Sequence, residues 1–299
     1  MTLAFFLSAC EDTPPRVLTV DYHWSLRYQT PAPLALNDIW GAPSGALYIA
    51  ADSGVFVEFT GATWRADTLP APGALRAVWA DTFDSVFVVG DSGFLARRSA
   101  GVWSVDTLDG GLGLNAAWGA AASQVIAVGD SGVIVHYNGA GWTRFAPAGP
   151  LPTQSLHALW GDSAGAAVAL GRYGTLLHFD GADWSVGDSR SLGWMLDVWG
   201  PSLDELYAVS LNGDIIHYRD SLWRPLYSPT RAPLYALWRD TRGNLLAVGW
   251  AGTVITIDTG GGKFFDSPTD EALYSIWGYQ DRLYAVTGKG QVYKYSGDL

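Results

Sequence analysis

Leu114-Asn-Ala-Ala-Trp118-Gly119, then Val128-Gly-Asp-Ser-Gly132, then Tyr137-Asn-Gly-Ala-Gly-Trp142 is one pass of a pattern that the chain runs through seven times. The first tryptophan of each pass falls at Trp40, Trp79, Trp118, Trp160, Trp199, Trp238 and Trp277, with spacings of 39, 39, 42, 39, 39 and 39 residues. Four residues earlier stands Leu36, Leu75, Leu114, Leu156, Met195, Leu234 or Leu273. Glycine follows the tryptophan in five passes, and Ala80 and Arg239 replace it in the other two. A second tryptophan comes 24 residues later at Trp64, Trp103, Trp142, Trp184 and Trp223. In the sixth pass Phe264 or Phe265 is expected to stand in for it.

Each pass holds four short apolar runs separated by turn residues. Val125-Ile-Ala-Val and Val133-Ile-Val-His-Tyr are examples, joined by Asp130-Ser-Gly. Runs of this length and composition read as β-strands, here named a to d in chain order. Four strands in about 40 residues is the period of a β-propeller blade. No pass shows a 3.6-residue apolar period or helix caps, which excludes a helical solenoid. A blade covers both of its faces with neighbouring blades, which explains why the runs are nearly all apolar.

The ends set the blade count. The seventh pass stops at Tyr295-Ser-Gly-Asp-Leu299, where its strand d should begin. The missing strand is found at the start of the chain, Arg16-Val-Leu-Thr-Val-Asp-Tyr-His-Trp24-Ser-Leu, with Trp24 in the place of the second tryptophan. The expected fold is therefore all-β: a seven-bladed propeller of four-stranded blades over residues 16–299, its ring closed by the N-terminal strand. Closure of this kind removes an open sheet edge.

Composition agrees. The 299 residues are 48% hydrophobic, with 36 glycines and 15 tryptophans. The net charge of −11 argues against non-specific nucleic-acid binding, which needs a basic surface. It also disfavours docking on anionic lipid by charge alone. The single cysteine excludes an intrachain disulfide. No run of 18 apolar residues is present, so no ordinary spanning helix is expected.

That cysteine lies in Leu7-Ser8-Ala9-Cys10, which resembles the bacterial lipobox: a branched apolar residue, two small residues, then a lipidated cysteine. The preceding segment has no Lys or Arg and a short apolar run. A start assigned too far downstream would produce both features. Residues 1–9 are read as a truncated lipoprotein signal peptide, and 10–15, with Pro14 and Pro15, as an extended tether. The expected location is extracytoplasmic, in the periplasm or at the cell surface, on a lipid anchor at Cys10.

The pattern Leu-x-x-Val-Trp-Gly, Val-Gly-Asp-x-Gly, His-Tyr-x-Gly-x-x-Trp resembles the secreted bacterial propellers grouped under WD40/YVTN/BNR-like repeats. Within that group it is similar to the photosystem II assembly and stability-factor propellers, which are extrinsic and membrane-associated. The likeness covers nearly the whole chain after residue 16 and implies the fold strongly and the task weakly, because such propellers serve many roles. The sialidase Asp-box is only approximated: in Asp180-Gly-Ala-Asp-Trp184 the Asp and Trp are one residue too close.

Few residues carry a chemical signature. His136, His178 and His217 each lie 18 residues after a blade tryptophan, so they repeat one strand position on three blades. Splayed around the ring, they are not expected to share a metal. Asp52, Asp91 and Asp130 precede Ser-Gly in b–c turns and suit ordinary hairpin chemistry. No phosphate loop, dinucleotide fingerprint or Ser-His-Asp order is present, and no cofactor is expected.

The places where the repeats disagree are more informative. In a propeller the d–a connections and the b–c turns share one face, at the mouth of the axial channel. Three residues before each tryptophan stand Asn37, Arg76, Asn115, His157, Leu196, Tyr235 and Tyr274. The b–c turns carry Asp in blades 1 to 3, then change to Arg172-Tyr173, Leu211-Asn212, Trp250-Ala251 and Gly288-Lys289. Trp194 sits in a d–a loop nearby. The face is thus expected to be acidic over blades 1 to 3 and aromatic over blades 4 to 7. Exposed Trp, Tyr and Arg dominate interface hot spots. The reading that follows is a non-enzymatic, membrane-anchored propeller that binds a partner protein, as a scaffold or an accessory or assembly subunit of a membrane complex. Carbohydrate binding by the same aromatics is the alternative. A glycoside hydrolase comes after it and would need two carboxylates converging near the axial mouth.

Overall fold

The computed structural model describes residues 23–296, apart from 43, 83, 240–242 and 280–281. Cys10, the signal-peptide and tether segments, and the first part of the expected closing strand (16–22) lie outside the described residues. Within them the chain forms seven four-stranded antiparallel sheets, each built from consecutive strands except one. In blade 3 the strands are Leu114–Ala121, Gln124–Gly129, Ile134–Tyr137 and Trp142–Arg144. The exception is blade 7, whose strands Leu273–Tyr279, Arg282–Thr287 and Gln291–Ser296 are completed by His23–Gln29 from the other end of the chain. The register pairs Trp24 with Tyr295, and their rings lie 5.2 Å apart. The ring closes as the repeat count requires.

Strands b and c are the core of each blade. Ala167–Gly171 of blade 4 and Leu245–Gly249 of blade 6 are buried along their whole length. Such strands are covered on both faces, so alternation vanishes and apolar residues run on. Strand d is the outer edge and is largely exposed, as in Trp64–Thr68. Its tryptophan caps the seam with the preceding strand: Phe59 pairs with Trp64, Tyr137 with Trp142, Phe179 with Trp184.

Blade 6 departs from expectation. Neither Phe264 nor Phe265 occupies the position of the second tryptophan. Gly262 does, paired with Ile257. A Cβ there would lie 2.7 Å from Ile255 and 3.0 Å from Ile215 and Pro229, so neighbouring side chains already fill the space. Phe265 packs instead against Tyr295, at 5.6 Å, in the next seam. Phe264 is exposed.

The blades meet through the first tryptophans. The Trp118 ring lies where a Cβ on Gly161 would be, 2.7 Å away, and the Trp277 ring would be 2.3 Å from a Cβ on Gly41. At Gly41, Gly119, Gly161 and Gly278 glycine follows the tryptophan because the preceding blade's indole lies against the backbone there, while at Gly200 the Glu205 carbonyl and Leu206 of the same blade fill the space. Where Ala80 replaces glycine, Trp40 turns to donate its indole N–H to the Ala80 carbonyl at 2.9 Å.

The closing strand contributes both a hydrogen-bonded ladder and the Trp24 cap. A chain lacking residues 1–28 should therefore melt about 10 °C or more below a chain lacking only residues 1–15. Equal melting temperatures would refute ring closure by this strand.

Candidate functional site

Antiparallel strands a to d place the d–a connections and the b–c turns at one end of every blade. All seven residues three before the blade tryptophans line one cavity of about 290 Å³ on the ring axis: Asn37, Arg76, Asn115, His157, Leu196, Tyr235 and Tyr274. The seven positions are thereby gathered into one mouth.

The two halves of the mouth are built differently. Over blades 1 to 3 the turn aspartates are engaged. Asn37 Nδ2 donates to Asp52 Oδ1 (3.0 Å) and to the Leu75 carbonyl of the next blade (2.8 Å). Asn115 repeats the arrangement with Asp130 (3.1 Å) and the Leu156 carbonyl (3.0 Å). In blade 2, Arg76 Nε donates to Asp91 at 2.5 Å, and Asp91 also accepts from the Ala74 amide at 2.9 Å. The acidic sector is a set of clamps between turn, strand a and neighbouring blade.

Over blades 4 and 5 the groups are stacked rather than hydrogen-bonded. The Arg172 guanidinium lies 3.9 Å over the Trp194 ring. His157 stacks on the same indole at 6.3 Å, and Tyr173 meets it edge-on at 6.5 Å. Burial lowers the His157 pKa, with the charges of Arg172 and Arg76 acting the same way and Asp130 opposing, so the ring stays neutral near pH 7. Tyr173 is 63% exposed and sits at φ +55°, where three other blades carry serine. A bulky side chain in the left-handed region is uncommon and costs of order 1 kcal/mol. Tyr235 and Tyr274 form an edge-to-face pair, 5.3 Å apart, on the rim over blades 6 and 7. Trp250 is exposed on its own turn and, among the described residues, has no ring partner. The expected aromatic sector is therefore a cluster at blades 4 and 5, a tyrosine pair at blades 6 and 7, and a separate tryptophan.

Two further residues line the same cavity and were not among those singled out from the repeat: Asp38 and Asp197. They stand two before the blade tryptophan, where four blades carry alanine and blade 7 carries Ser275. That departure from the repeat was the available signal. Asp38 Oδ2 accepts the Val78 amide of blade 2 at 2.9 Å, while Oδ1 accepts from its neighbour Ile39 and from Ser275 of blade 7, both at 2.9 Å. Asp197 repeats the pattern, taking the Leu237 amide of blade 6 at 2.7 Å and the Val198 amide at 2.8 Å. Each carboxylate straps one blade to the next. Both residues keep some surface toward the cavity but are enclosed by protein elsewhere. Burial raises both pKa values, Asp197 to about 7, against the opposing backbone hydrogen bonds; the charge of Asp38 adds to the rise at Asp197.

The three histidines at the shared strand position each sit in a different seam. His136 packs on Phe145 and Phe179, at 4.9 and 5.1 Å, and His217 stacks on Tyr207 at 4.2 Å. Among the described residues, no group of three or more His, Cys, Asp or Glu is placed to hold a metal ion.

No family model matches the chain, and no curated protein matches it. Solved structures do. YCF48 bound to D1 peptide superposes with a TM-score of 0.73 at 18% identity, over 93% of this chain and 97% of that one. YCF48 from Cyanidioschyzon merolae gives 0.72 at 16%, over 91% and 98%. A catalytically inactive virginiamycin B lyase from Staphylococcus aureus, with quinupristin, gives 0.74 at 13%, over 93% and 100%. At these identities the likeness is one of fold. A peptide-bound protein and a lyase share it equally, so the fold does not choose between binding and catalysis.

The folded chain holds the Asp197 proton up to about pH 7, whereas an unfolded aspartate has lost it by about pH 5. Folded molecules bind more protons across that window, so this group's contribution to stability is full below about pH 4 and is lost as pH rises through 7. Asp197→Asn should shrink the drop in melting temperature between pH 5 and pH 8 by about 3 °C or more relative to wild type. An unchanged pH dependence would remove Asp197 as its source.

Proposed function

We propose that this chain is a non-enzymatic binding propeller whose axial mouth, on its blade 4 and 5 side, holds a segment of a partner protein. The observation that carries this reading is the Tyr173–Trp194–Arg172–His157 cluster beside the axial cavity. Aromatic and arginine side chains, partly exposed and mutually stacked, are the residue types that anchor protein interfaces. Tyr173 adds weight because it holds an exposed phenol at a backbone position that disfavours it. Leu192, on the loop leading to Trp194, is 87% exposed and extends the apolar surface. The likeness to a propeller with a bound peptide is consistent with this use of the fold.

Carbohydrate recognition fits less well. A sugar stacks on an open ring face, and Arg172 covers one face of Trp194. Hydrolysis also fits less well. The two carboxylates in the axial cavity each accept backbone amides on both oxygens, which ties them to holding neighbouring blades together.

The wider reading is that the propeller stands on the outer side of a bacterial membrane, anchored through lipidated Cys10, and serves as an accessory or assembly subunit of a membrane complex. Its support is the lipobox-like Leu7-Ser8-Ala9-Cys10 in a chain with no other cysteine. Among the described residues no helix is long and apolar enough to cross a membrane.

Two measurements test these statements separately. In a pull-down from native membranes, Trp194→Ala combined with Tyr173→Ala should cut capture of the bound protein at least tenfold, while Trp250→Ala alone should change it by less than threefold, as rough hot-spot scales. Undiminished capture by the double variant would displace the site. The intact mass of membrane-extracted protein should begin at Cys10 and carry acyl chains; a mass retaining Met1 without lipid would remove the anchor.

A further inference from the structure

The seams between blades are filled by side chains that differ from seam to seam, and a cavity remains in the seam between blades 3 and 4. The cross-strand partner of the first tryptophan on strand b is Tyr48, Phe87, Ile126, Val168, Tyr207, Leu246 or Tyr284 in blades 1 to 7. In the seam between blades 2 and 3, the Phe87 ring packs on Tyr137 at 5.2 Å and on Trp142 at 6.0 Å. Arg97 from strand c lies over both Phe87 and Tyr137, at 5.7 and 5.2 Å, and donates to the Tyr137 hydroxyl at 2.9 Å. Ring, guanidinium and phenol together close that seam, and Phe87 has no exposed surface.

One blade further on, every member of this set is smaller or less polar. Ile126 stands where Phe87 stood, His136 replaces Arg97 and Phe179 replaces Tyr137. Between blades 3 and 4 lies a half-open cavity of about 230 Å³. Its walls are Trp118, Ile126, Tyr137 and Phe179. It opens toward the a–b and c–d connections, the end of the ring opposite the axial mouth. At that rim stand Gln124 and Asn138, both exposed. Asn138 Oδ1 accepts the Ala140 and Gly141 amides, which turns its Nδ2 into the group it can offer. His136 Nε2 accepts the Trp184 indole N–H at 3.4 Å, so the proton of the neutral ring is on Nδ1, and burial keeps the ring neutral.

We propose that this seam is a second binding site, independent of the axial mouth, for a single aromatic ring carrying one hydrogen-bonding group, of the phenol or indole kind. The shape follows from the neighbouring seam, where the protein itself puts a phenyl ring in the equivalent place. The apolar walls suit a ring, and apolar cavities of about 150 Å³ already admit benzene. The amide groups at the rim suit one hydroxyl or ring N–H. The ring would come from a free small molecule or from a Tyr or Trp side chain of a partner.

The test uses the full chain with phenol as probe, followed by ligand-observed NMR. Phenol should bind saturably, and Ile126→Phe, which copies blade 2, should weaken binding at least tenfold without lowering the melting temperature. Should that variant fail to fold, Ala120→Leu narrows the same cavity and should weaken binding by at least threefold. The capped tripeptide Gly-Tyr-Gly separates the sources. Binding as tight as phenol supports a partner side chain, and binding tenfold weaker supports a free molecule. Absence of saturable phenol binding to the wild type, or equal binding to wild type and the cavity-filling variant, overturns the proposal.

Discussion

The indole of one blade lies flat against the backbone of the next blade's strand a, and much of the ring depends on that contact. An aromatic ring pressed on a peptide needs a residue without a side chain beneath it, and the clash that a Cβ would make at Gly41, Gly119 or Gly161 shows how little room remains. Burial of each tryptophan contributes in proportion to its large apolar area. The contact is also directional: at Gly41, Gly119, Gly161 and Gly278 the indole of one blade reaches forward to the next. Successive indoles approach one another in turn, as Trp238 and Trp277 do at 5.9 Å.

Given that scaffold, each seam is free to differ. Between blades 1 and 2, Arg98 forms two hydrogen bonds to Glu58 (2.8 and 3.0 Å) and lies over the rings of Tyr48, Phe56 and Trp103. Between blades 2 and 3 the filler is Phe87 with Arg97, and between 5 and 6 it is Tyr207 with His217. At the axial end, Asp38 straps blade 1 to blades 2 and 7, and Asp197 straps blade 5 to blade 6. Stability is therefore held by a common apolar contact and tuned by side chains that vary from blade to blade. Variation of this kind is what lets one face of a regular ring become a specific surface.

The repeat made the fold legible. Period, strand count and the displaced last strand could all be read from spacing, because each hairpin is local and each blade tryptophan recurs about 40 residues on. It also picked out as one set the seven residues three before the tryptophans, which converge on one cavity. It did not show that Asn37, Arg76 and Asn115 would tie down the turn aspartates. It did not show that Trp250 would be separate from Trp194. Asp38 and Asp197 were visible as departures from alanine, but their role rests on amides of the following blade.

By itself, then, the sequence determined the number of blades, the order of strands within them and the way the ring closes, because those follow from hydrogen bonding between segments adjacent in the chain or paired by the displaced last strand. The tertiary structure alone decided which side chains meet across the seams: which carboxylates become straps, that Gly262 rather than a phenylalanine occupies the sixth tryptophan position, that Arg172 lies on Trp194, and that the seam between blades 3 and 4 keeps a cavity. Those contacts join residues from different blades, and their outcome depends on the volume and charge of both partners at once.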